Sequence, residues 1–144
     1  MPLKRKKQPK KHSSTYWRKK CCTWAKLEAR KRDGDQCQYC GVTRASGAAI
    51  HGSHILPEGA YPLMSAEPYN IIALCAVHHF SGANPRMGSS EPSWHGDPTL
   101  FTAWFNKKWP GRIKELRDMD KEANKHVVNW EKRYEEIKNF SQSA

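Results

Sequence analysis

The sequence contains no long hydrophobic run. Its 144 residues are 38% hydrophobic, and no stretch approaches the roughly 20 apolar residues that a helix needs to cross a bilayer. There is also no N-terminal apolar segment of the signal-peptide kind. We therefore expect a cytoplasmic protein with no membrane partner, whose modest core a structural metal would help to stabilise.

Acidic residues are nearly absent from the first 32 positions. That segment holds 13 of the 25 Lys and Arg residues but one of the 14 acidic ones, so it carries a net charge of +12 while the remaining residues carry −1. A basic arm beside a nearly neutral body suits the phosphate backbone of a nucleic acid, although a solvated tail that only aids solubility is the alternative. We predict a disordered basic arm over residues 1–14. The predicted DNA-contacting residues are Lys4, Arg5, Lys6, Lys7, Lys10, Lys11, Arg18, Lys19 and Lys20.

The five cysteines are odd in number, which argues against a disulfide framework and favours reduced thiolates bound to metal. Two pairs, Cys37-x-x-Cys40 and Cys75-x-x-His78, have the spacing of two zinc knuckles, and they predict a tetrahedral structural Zn²⁺ site. A thioredoxin-like redox role for Cys37 and Cys40 is the alternative, but the sequence has no strand-rich α/β pattern around them. Of the adjacent pair at positions 21 and 22, the first is predicted in the core and the second is a spare thiol.

Periodicity and turn signals predict the remaining elements. A helix is expected from Ser13 or Ser14 to Asp33-Gly34, with Leu27 on its apolar face. Residues 36–56 are interpreted as the knuckle and two strands, and residues 71–80 as a turn that enters a short helix. A helix begins at Asp97-Pro98, with Asp97 as its N-cap, and one last helical segment begins at residue 112. Apolar residues at helical spacing in that segment form a stripe, which is interpreted as core or a dimer seam. They are Val127, Trp130, Tyr134 and Ile137.

Three segments carry a resemblance to a known family. They are Ser53-His54-Ile55-Leu56-Pro57, Asn70-Ile71-Ile72-Ala73-Leu74-Cys75 and Cys75-Ala76-Val77-His78-His79. Together they resemble the three parts of an HNH endonuclease, and the preceding Cys-x-x-Cys resembles the zinc-ribbon subset of that superfamily. The flanking basic helix and the His95-x-Asp97-Pro98 segment are similar to small phage HNH and recombination-type endonucleases.

The resemblance implies a fold and a function. The fold is α+β, a small ββα-metal core with a structural zinc, flanked by an N-terminal basic helix and C-terminal helices. Residues 15–110 would form the nuclease domain with its zinc knuckle, and residues 111–144 a C-terminal helical extension. The implied activity is metal-dependent hydrolysis of duplex or branched DNA by a phage or prophage protein in the host cytoplasm, acting as a monomer or weak homodimer.

The resemblance also implies roles for individual residues. His54 would be the general base, Asn70 would orient the hairpin, and His79 would bind a catalytic Mg²⁺, Mn²⁺ or Ni²⁺. Many family members have an acidic residue or histidine directly before the base, where this chain has Ser53, a poor ligand for a divalent cation. Three candidates for the second metal ligand are His51, His95 and, more weakly, Glu58.

Two other functions fit parts of the sequence. A catalytically degenerate, zinc-stabilised DNA-binding module would explain Ser53. An RNA-binding, ribosome-associated zinc protein would explain the basic arm but would leave His54, Asn70 and His79 without a role.

Overall fold

The structure is a computed structural model that describes residue 8, residues 10–81 and residues 93–143. It is a small α+β fold with one two-stranded antiparallel sheet and several helices. Within these residues, no helix is long and apolar enough to cross a membrane. The elements are α1 (Ser14–Arg32), β1 (Ile50–His54), β2 (Ile71–Cys75), a π-helical turn (Val77–Ser81), α2 (Pro98–Lys108), α3 (Arg112–Ala123) and α4 (Trp130–Ser143).

Helix α1 begins and ends where the capping residues predict. The Ser13 side chain accepts a hydrogen bond from the Tyr16 N–H at 3.2 Å, and Asp33 is the C-cap before Gly34, whose φ is +72°. The buried face contains Cys21, as predicted, together with small residues that allow close packing. The prediction for Leu27 is wrong, because its side chain lies on the opposite side of the helix from Ala25 and Ala29 and is 43% exposed.

The sheet differs from the prediction in its second strand. Strand β1 pairs with β2 from Ile50↔Cys75 to His54↔Ile71, whereas residues 36–49 contribute only an isolated bridge between Gln36 and Thr43. The prediction that residues 71–80 are a turn entering a helix is therefore wrong for the first five of them. All five residues of β2 are buried. A strand buried on both faces shows no alternation of polar and apolar residues, so periodicity alone could not identify it.

The C-terminal helices also differ from the prediction. Pro98 occupies the first turn of α2, as expected, but the side chain of the N-cap residue Asp97 makes no capping hydrogen bond. The predicted single segment after residue 111 is two helices, because the chain leaves the helical path over residues 124–129. Val127, predicted in the apolar stripe, lies in this break and is fully exposed.

Two apolar clusters connect these helices to the sheet. In the larger one, β2 packs against α2 and α3 through Ile72, Leu74, Phe101, Phe105 and Leu116. In the smaller one, α1 and α4 meet, and the core interpretation of the stripe is confirmed for three of its residues, Trp130, Tyr134 and Ile137. Residues beyond position 110 thus pack directly on both the sheet and α1.

Helix α1 lies on the sheet at Gly52. A Cβ atom at this position would stand 2.8 Å from both Cβ and Cγ of Lys26 and 3.1 Å from Cγ2 of Ile71. Real Cβ atoms do not approach carbon atoms so closely, and the Cβ of Lys26 cannot move without its helix. The absence of a side chain at residue 52 therefore permits the contact between α1 and the hairpin.

We expect Gly52→Ala to destabilise the protein by about 1–3 kcal/mol, because α1 must move away from β1 to accommodate the methyl group. Gly59→Ala is the matched control, since a Cβ at that position would meet no atom within 4 Å. Urea denaturation of the two variants measures the difference. Equal midpoints for Gly52→Ala and Gly59→Ala would contradict the packing described here.

Candidate metal centre and catalytic cleft

Four side chains converge where α1, the sheet and the π-helical turn meet. Cys37 and Cys40 follow the end of α1 in a turn that Gly41 closes with φ +81°, Cys75 ends β2, and His78 lies in the π-helical turn. The Cys75 Sγ is 3.1 Å from the His78 Nδ1. The Cys37 Sγ is 3.8 Å from the same nitrogen, and the Cys40 and Cys75 sulfurs are 3.9 Å apart. All four ligand atoms lie within 4.8 Å of one another.

These separations match a tetrahedral zinc ion. Metal bonds of about 2.3 Å to sulfur and about 2.0 Å to nitrogen place two sulfurs about 3.8 Å apart and a sulfur and a nitrogen about 3.6 Å apart. Three cysteines and one histidine are also a common donor set for structural zinc. The prediction that these four residues can hold a metal such as zinc is confirmed. In the described part of the chain, no other group of three or more His, Cys, Asp or Glu side chains brings its ligand atoms so close together.

Burial and hydrogen bonding shift the pKa values of two cysteines at this centre in opposite directions. Burial, followed by the neighbouring cysteines, raises the pKa of Cys75 to about 12. Burial acts in the same direction on Cys37, but hydrogen bonds from backbone N–H groups of Cys40, Cys75 and Tyr39 outweigh it and lower that pKa. Without a cation, the Cys75 thiol would keep its proton at neutral pH. A bound Zn²⁺ would replace that proton and offset the repulsion between the thiolates.

A cleft of about 610 Å³ lies beside the metal centre. Helix α1 contributes Lys26, the end of β1 contributes His54, and the π-helical turn contributes His79. His95 and the start of α2 close the other side. Two of the three residues to which the resemblance gives catalytic roles, His54 and His79, therefore line one cavity.

His54 is oriented by the loop between the strands. Its Nε2 lies 2.8 Å from the Ser65 carbonyl oxygen, which can only accept a hydrogen bond, so Nε2 carries the proton and Nδ1 has the lone pair. The Cys22 Sγ, predicted only as a spare thiol, lies 3.6 Å from the same nitrogen. Burial lowers the pKa of His54, and the positive charge of Lys26 lowers it further. The ring is therefore neutral at neutral pH.

His79 contacts two other histidines. Its Nδ1 is 3.1 Å from the Nδ1 of His51, and its ring centroid is 4.9 Å from that of His95. Burial, followed by the neighbouring His95 and His51, lowers the pKa of His79 to about 3, so its ring is neutral and offers a lone pair. The ligand atoms of these three histidines are not all within 4.8 Å of one another. His51 is the candidate whose Nδ1 approaches that of His79, whereas the ring centroid of His95 is the closer, at 4.9 Å against 5.3 Å.

The Ser53 side chain makes no hydrogen bond to His51, His79 or His95. Its side chain is 1% exposed, and its hydroxyl has no hydrogen-bond partner among the described residues. The position before the predicted base is therefore part of the packed interior. The neighbouring polar position on β1, His51, makes the contact with His79 instead.

Asn70 holds together the two ends of the long loop between the strands. Its Oδ1 accepts the Leu56 N–H at 2.8 Å, and its Nδ2 donates to the Leu56 and Met64 carbonyl oxygens at 3.1 and 3.0 Å. The residue is completely buried. These bonds fix residues 56–70, and with them the Ser65 carbonyl that orients His54.

Arg18 and Glu58 bond to each other. The Arg18 Nη1 donates to the Glu58 carboxylate at 2.8 Å and to the Ser65 hydroxyl at 3.0 Å, and the Arg18 side chain is 17% exposed. Burial alone would raise the pKa of Glu58, but the hydrogen bond and charge of Arg18 outweigh it and lower that pKa. The guanidinium that was predicted to contact DNA thus also fixes the loop beside His54.

The other predicted DNA-contacting residues fall into two groups. Those within the described ranges are exposed to solvent; they are Lys10, Lys11, Lys19 and Lys20. Those that lie outside the described residues are Lys4, Arg5, Lys6 and Lys7.

Lys26 is a cleft residue that sequence reasoning missed. Helical periodicity gives no information on which side of α1 a strand will pack, so the sequence did not mark Lys26 as a site residue. The aliphatic part of its side chain lies against Gly52, and the residue lines the cleft that contains His54 and His79. A glycine in the middle of a strand was the available signal, since it marks a place where another element approaches closely.

Comparisons with known proteins return no relative. No family model, no curated protein and no solved structure matches this chain. Any function must therefore be argued from the geometry and chemistry of the site itself.

We expect the purified protein to contain about one zinc ion per chain. Cys40→Ala should lose this zinc and lower the melting temperature, and because the Cys40 side chain is exposed, the loss reports ligation rather than core packing. Cys21→Ala, outside the cluster, should keep its zinc. Atomic emission spectroscopy of the reduced proteins measures this, and unchanged zinc in Cys40→Ala would contradict the assignment.

Asn70→Ala should destabilise the protein by about 2–4 kcal/mol, because it leaves buried polar groups of Leu56 and Met64 without partners. Asn106→Ala, at an exposed position of α2, should change stability little. Chemical denaturation compares the two variants. A small effect of Asn70→Ala would mean that water replaces these bonds and that the loop does not depend on them.

Proposed function

We propose that this protein is a metal-dependent endonuclease of the HNH type that hydrolyses DNA phosphodiester bonds. The observation that carries the proposal is the cleft in which His54, from the end of β1, and His79, from the π-helical turn, lie together with Lys26. These are the positions at which the motif resemblance requires a base and a metal ligand.

His54 is the general base of this proposal. Because its Nε2 proton is bonded to the Ser65 carbonyl, its Nδ1 can accept a proton from a water molecule. The lowered pKa keeps Nδ1 unprotonated at neutral pH. Asn70 and Arg18 act as positioning residues, since both fix the loop that carries Ser65.

His79 and His51 are the residues that would hold the catalytic ion. Their Nδ1 atoms are 3.1 Å apart, close to the roughly 3.0 Å between neighbouring ligands of an octahedral ion with bonds of about 2.1 Å. The same distance allows a hydrogen bond between the rings when no ion is bound. Two imidazoles favour Ni²⁺ over Mg²⁺. A divalent ion there would stabilise negative charge on the scissile phosphate and on the leaving oxygen.

Positive charge beside the cleft would bind the DNA backbone. Lys26 lines the cleft itself, and Lys19 is exposed on the same helix. The basic arm extends this charge beyond the start of α1. Contacts of this kind carry no sequence information, so we expect binding to weaken steeply with salt and to show little sequence preference.

A catalytically inactive, zinc-stabilised DNA-binding module is the second candidate. The burial of Ser53 favours it, because the residue before the base offers no ligand. Such a module would keep the zinc centre and the positive surface. It would bind DNA without cutting it.

We expect wild-type protein to nick or linearise supercoiled plasmid, or to cut branched DNA, when Mn²⁺, Ni²⁺ or Mg²⁺ is added. His54→Ala should lower the cleavage rate by about 100-fold or more, since a positioned base contributes about that factor. DNA binding in EDTA and zinc content should stay unchanged in this variant. The matched control is His126→Ala, which replaces an exposed histidine outside the cleft.

The outcomes separate the candidates. Full cleavage by His54→Ala, in a preparation free of contaminating nuclease, would refute the assignment of the base. DNA binding without cleavage of any of these substrates with any of the three metals would favour the inactive module.

A further inference from the structure

A second cavity, next to the cleft around α1, combines aromatic rings with positive charge. It lies between α1 and α4, has a volume of about 460 Å³ and is here called the α1–α4 groove. Trp24 and Tyr134 contribute their rings, and the side chains that carry charge are Lys20, Arg30 and Lys138. Among the described residues, no acidic side chain lines the groove.

The charge and the rings indicate the class of ligand. Three cations without an acidic counterpart attract a polyanion. The Trp24 ring, with Leu27 and Ile137 beside it, offers flat and apolar surface to which an unpaired base can bind through its face. The Tyr134 ring contributes the part that Trp17, at 5.6 Å between ring centroids, and the Lys138 Nζ, 5.7 Å from its centroid, leave uncovered. A base inside a duplex has both faces covered by its neighbours, so a duplex can use the cations of the groove but not its rings.

Helix α1 connects the groove to the cleft. Lys26 lines the cleft and Arg30, one helical turn later, lines the groove. Lys19 is exposed on the surface between the two sites. A helix with its side chains is about 10–12 Å across, so the sites are separated by a distance that a few nucleotides of one strand can span.

We propose that the α1–α4 groove binds an unpaired strand of the DNA substrate, with bases against Trp24 and Tyr134 and phosphates against Lys20, Arg30 and Lys138. This proposal rests on the proposed nuclease function for its substrate. A strand that leaves the cleft along Lys26 and Arg30 enters the groove after a few nucleotides. The expected substrate is therefore DNA in which a duplex meets a single strand, such as a flap or a branched junction.

An acidic peptide is the other polyanion that such a groove could attract. Two observations favour nucleic acid. The positive surface continues from the groove to the cleft along α1, and residues 1–32 carry a net charge of +12. An acidic peptide would also make no particular use of two aromatic rings.

The experiment measures binding of the full-length, zinc-containing protein to fluorescent oligothymidine and to a duplex of equal length, by anisotropy in EDTA. Lys20→Glu combined with Lys138→Glu should weaken binding to oligothymidine by about tenfold or more. The matched control combines Lys107→Glu with Lys121→Glu, which replace two exposed lysines outside the groove. It should weaken binding much less. An equal effect of both pairs would assign the binding to net charge and overturn the proposal.

Trp24 tests the contribution of the rings. Trp24→Ala should weaken oligothymidine binding by about tenfold and duplex binding by less than about threefold, whereas Trp24→Phe should retain most of the affinity. Trp24 also packs near Ala25 and Ala29, so circular dichroism must first establish that the alanine variant is folded. If it is unfolded, the exposed lysine pair decides the question alone. Equal losses for both DNA forms in a folded Trp24→Ala protein would overturn the proposal.

Two further results separate this proposal from others. Displacement of oligothymidine by oligoglutamate at equal charge concentration would overturn the assignment to nucleic acid in favour of an acidic peptide. Because the assay needs no cleavage, groove-dependent binding by a protein that cuts no DNA would support the groove while refuting the nuclease. Cleavage by a protein whose groove variants bind oligothymidine normally would refute the groove alone.

Discussion

The contact between α1 and β1 at Gly52 fixes the positions of the main surfaces of this protein. Because residue 52 has no side chain, the stem of Lys26 lies directly on the strand. One helical turn earlier, this packing brings Cys22 to His54. A neighbouring face of the same helix lies towards α4 and forms one wall of the α1–α4 groove. Any change in the distance between α1 and the hairpin would therefore alter the cleft and the groove together.

The orientation of the proposed base depends on a loop rather than on regular structure. A two-stranded sheet is marginally stable alone, and here a segment of sixteen residues separates its two strands. Asn70 joins the ends of that segment, and Arg18 bonds to Ser65 and Glu58 inside it. The segment is thereby ordered well enough for one backbone carbonyl to select the tautomer of His54. The Cys3His centre, at the other end of the hairpin, joins the knuckle, β2 and the π-helical turn.

Local chemistry was sufficient to predict some of these features from sequence. The caps of α1 and the four residues of the metal centre depend on residue types at fixed spacing, and both predictions are confirmed. The second strand was missed because a fully buried strand has no polar alternation. Lys26 and the exposed side chain of Leu27 were missed for a different reason: which side of α1 meets the sheet depends on tertiary packing at Gly52, about which helical periodicity carries no information. The break at residues 124–129 lacks a proline or glycine that would have marked it.

His78 and His79 are neighbours in the chain, yet one belongs to the metal centre and the other to the cleft. This adjacency limits how the protein can diversify. An insertion or deletion between the two residues would remove one of them from its site, so the chain has no freedom to adjust the spacing of the two centres at this point. Changes that alter the cleft must instead come from elements that the metal centre does not use, such as Lys26 on α1 and the segment around His95. For protein engineering, His78, the residue of the pair in the candidate metal centre, must keep its position, and the opposite walls of the cleft are open to redesign.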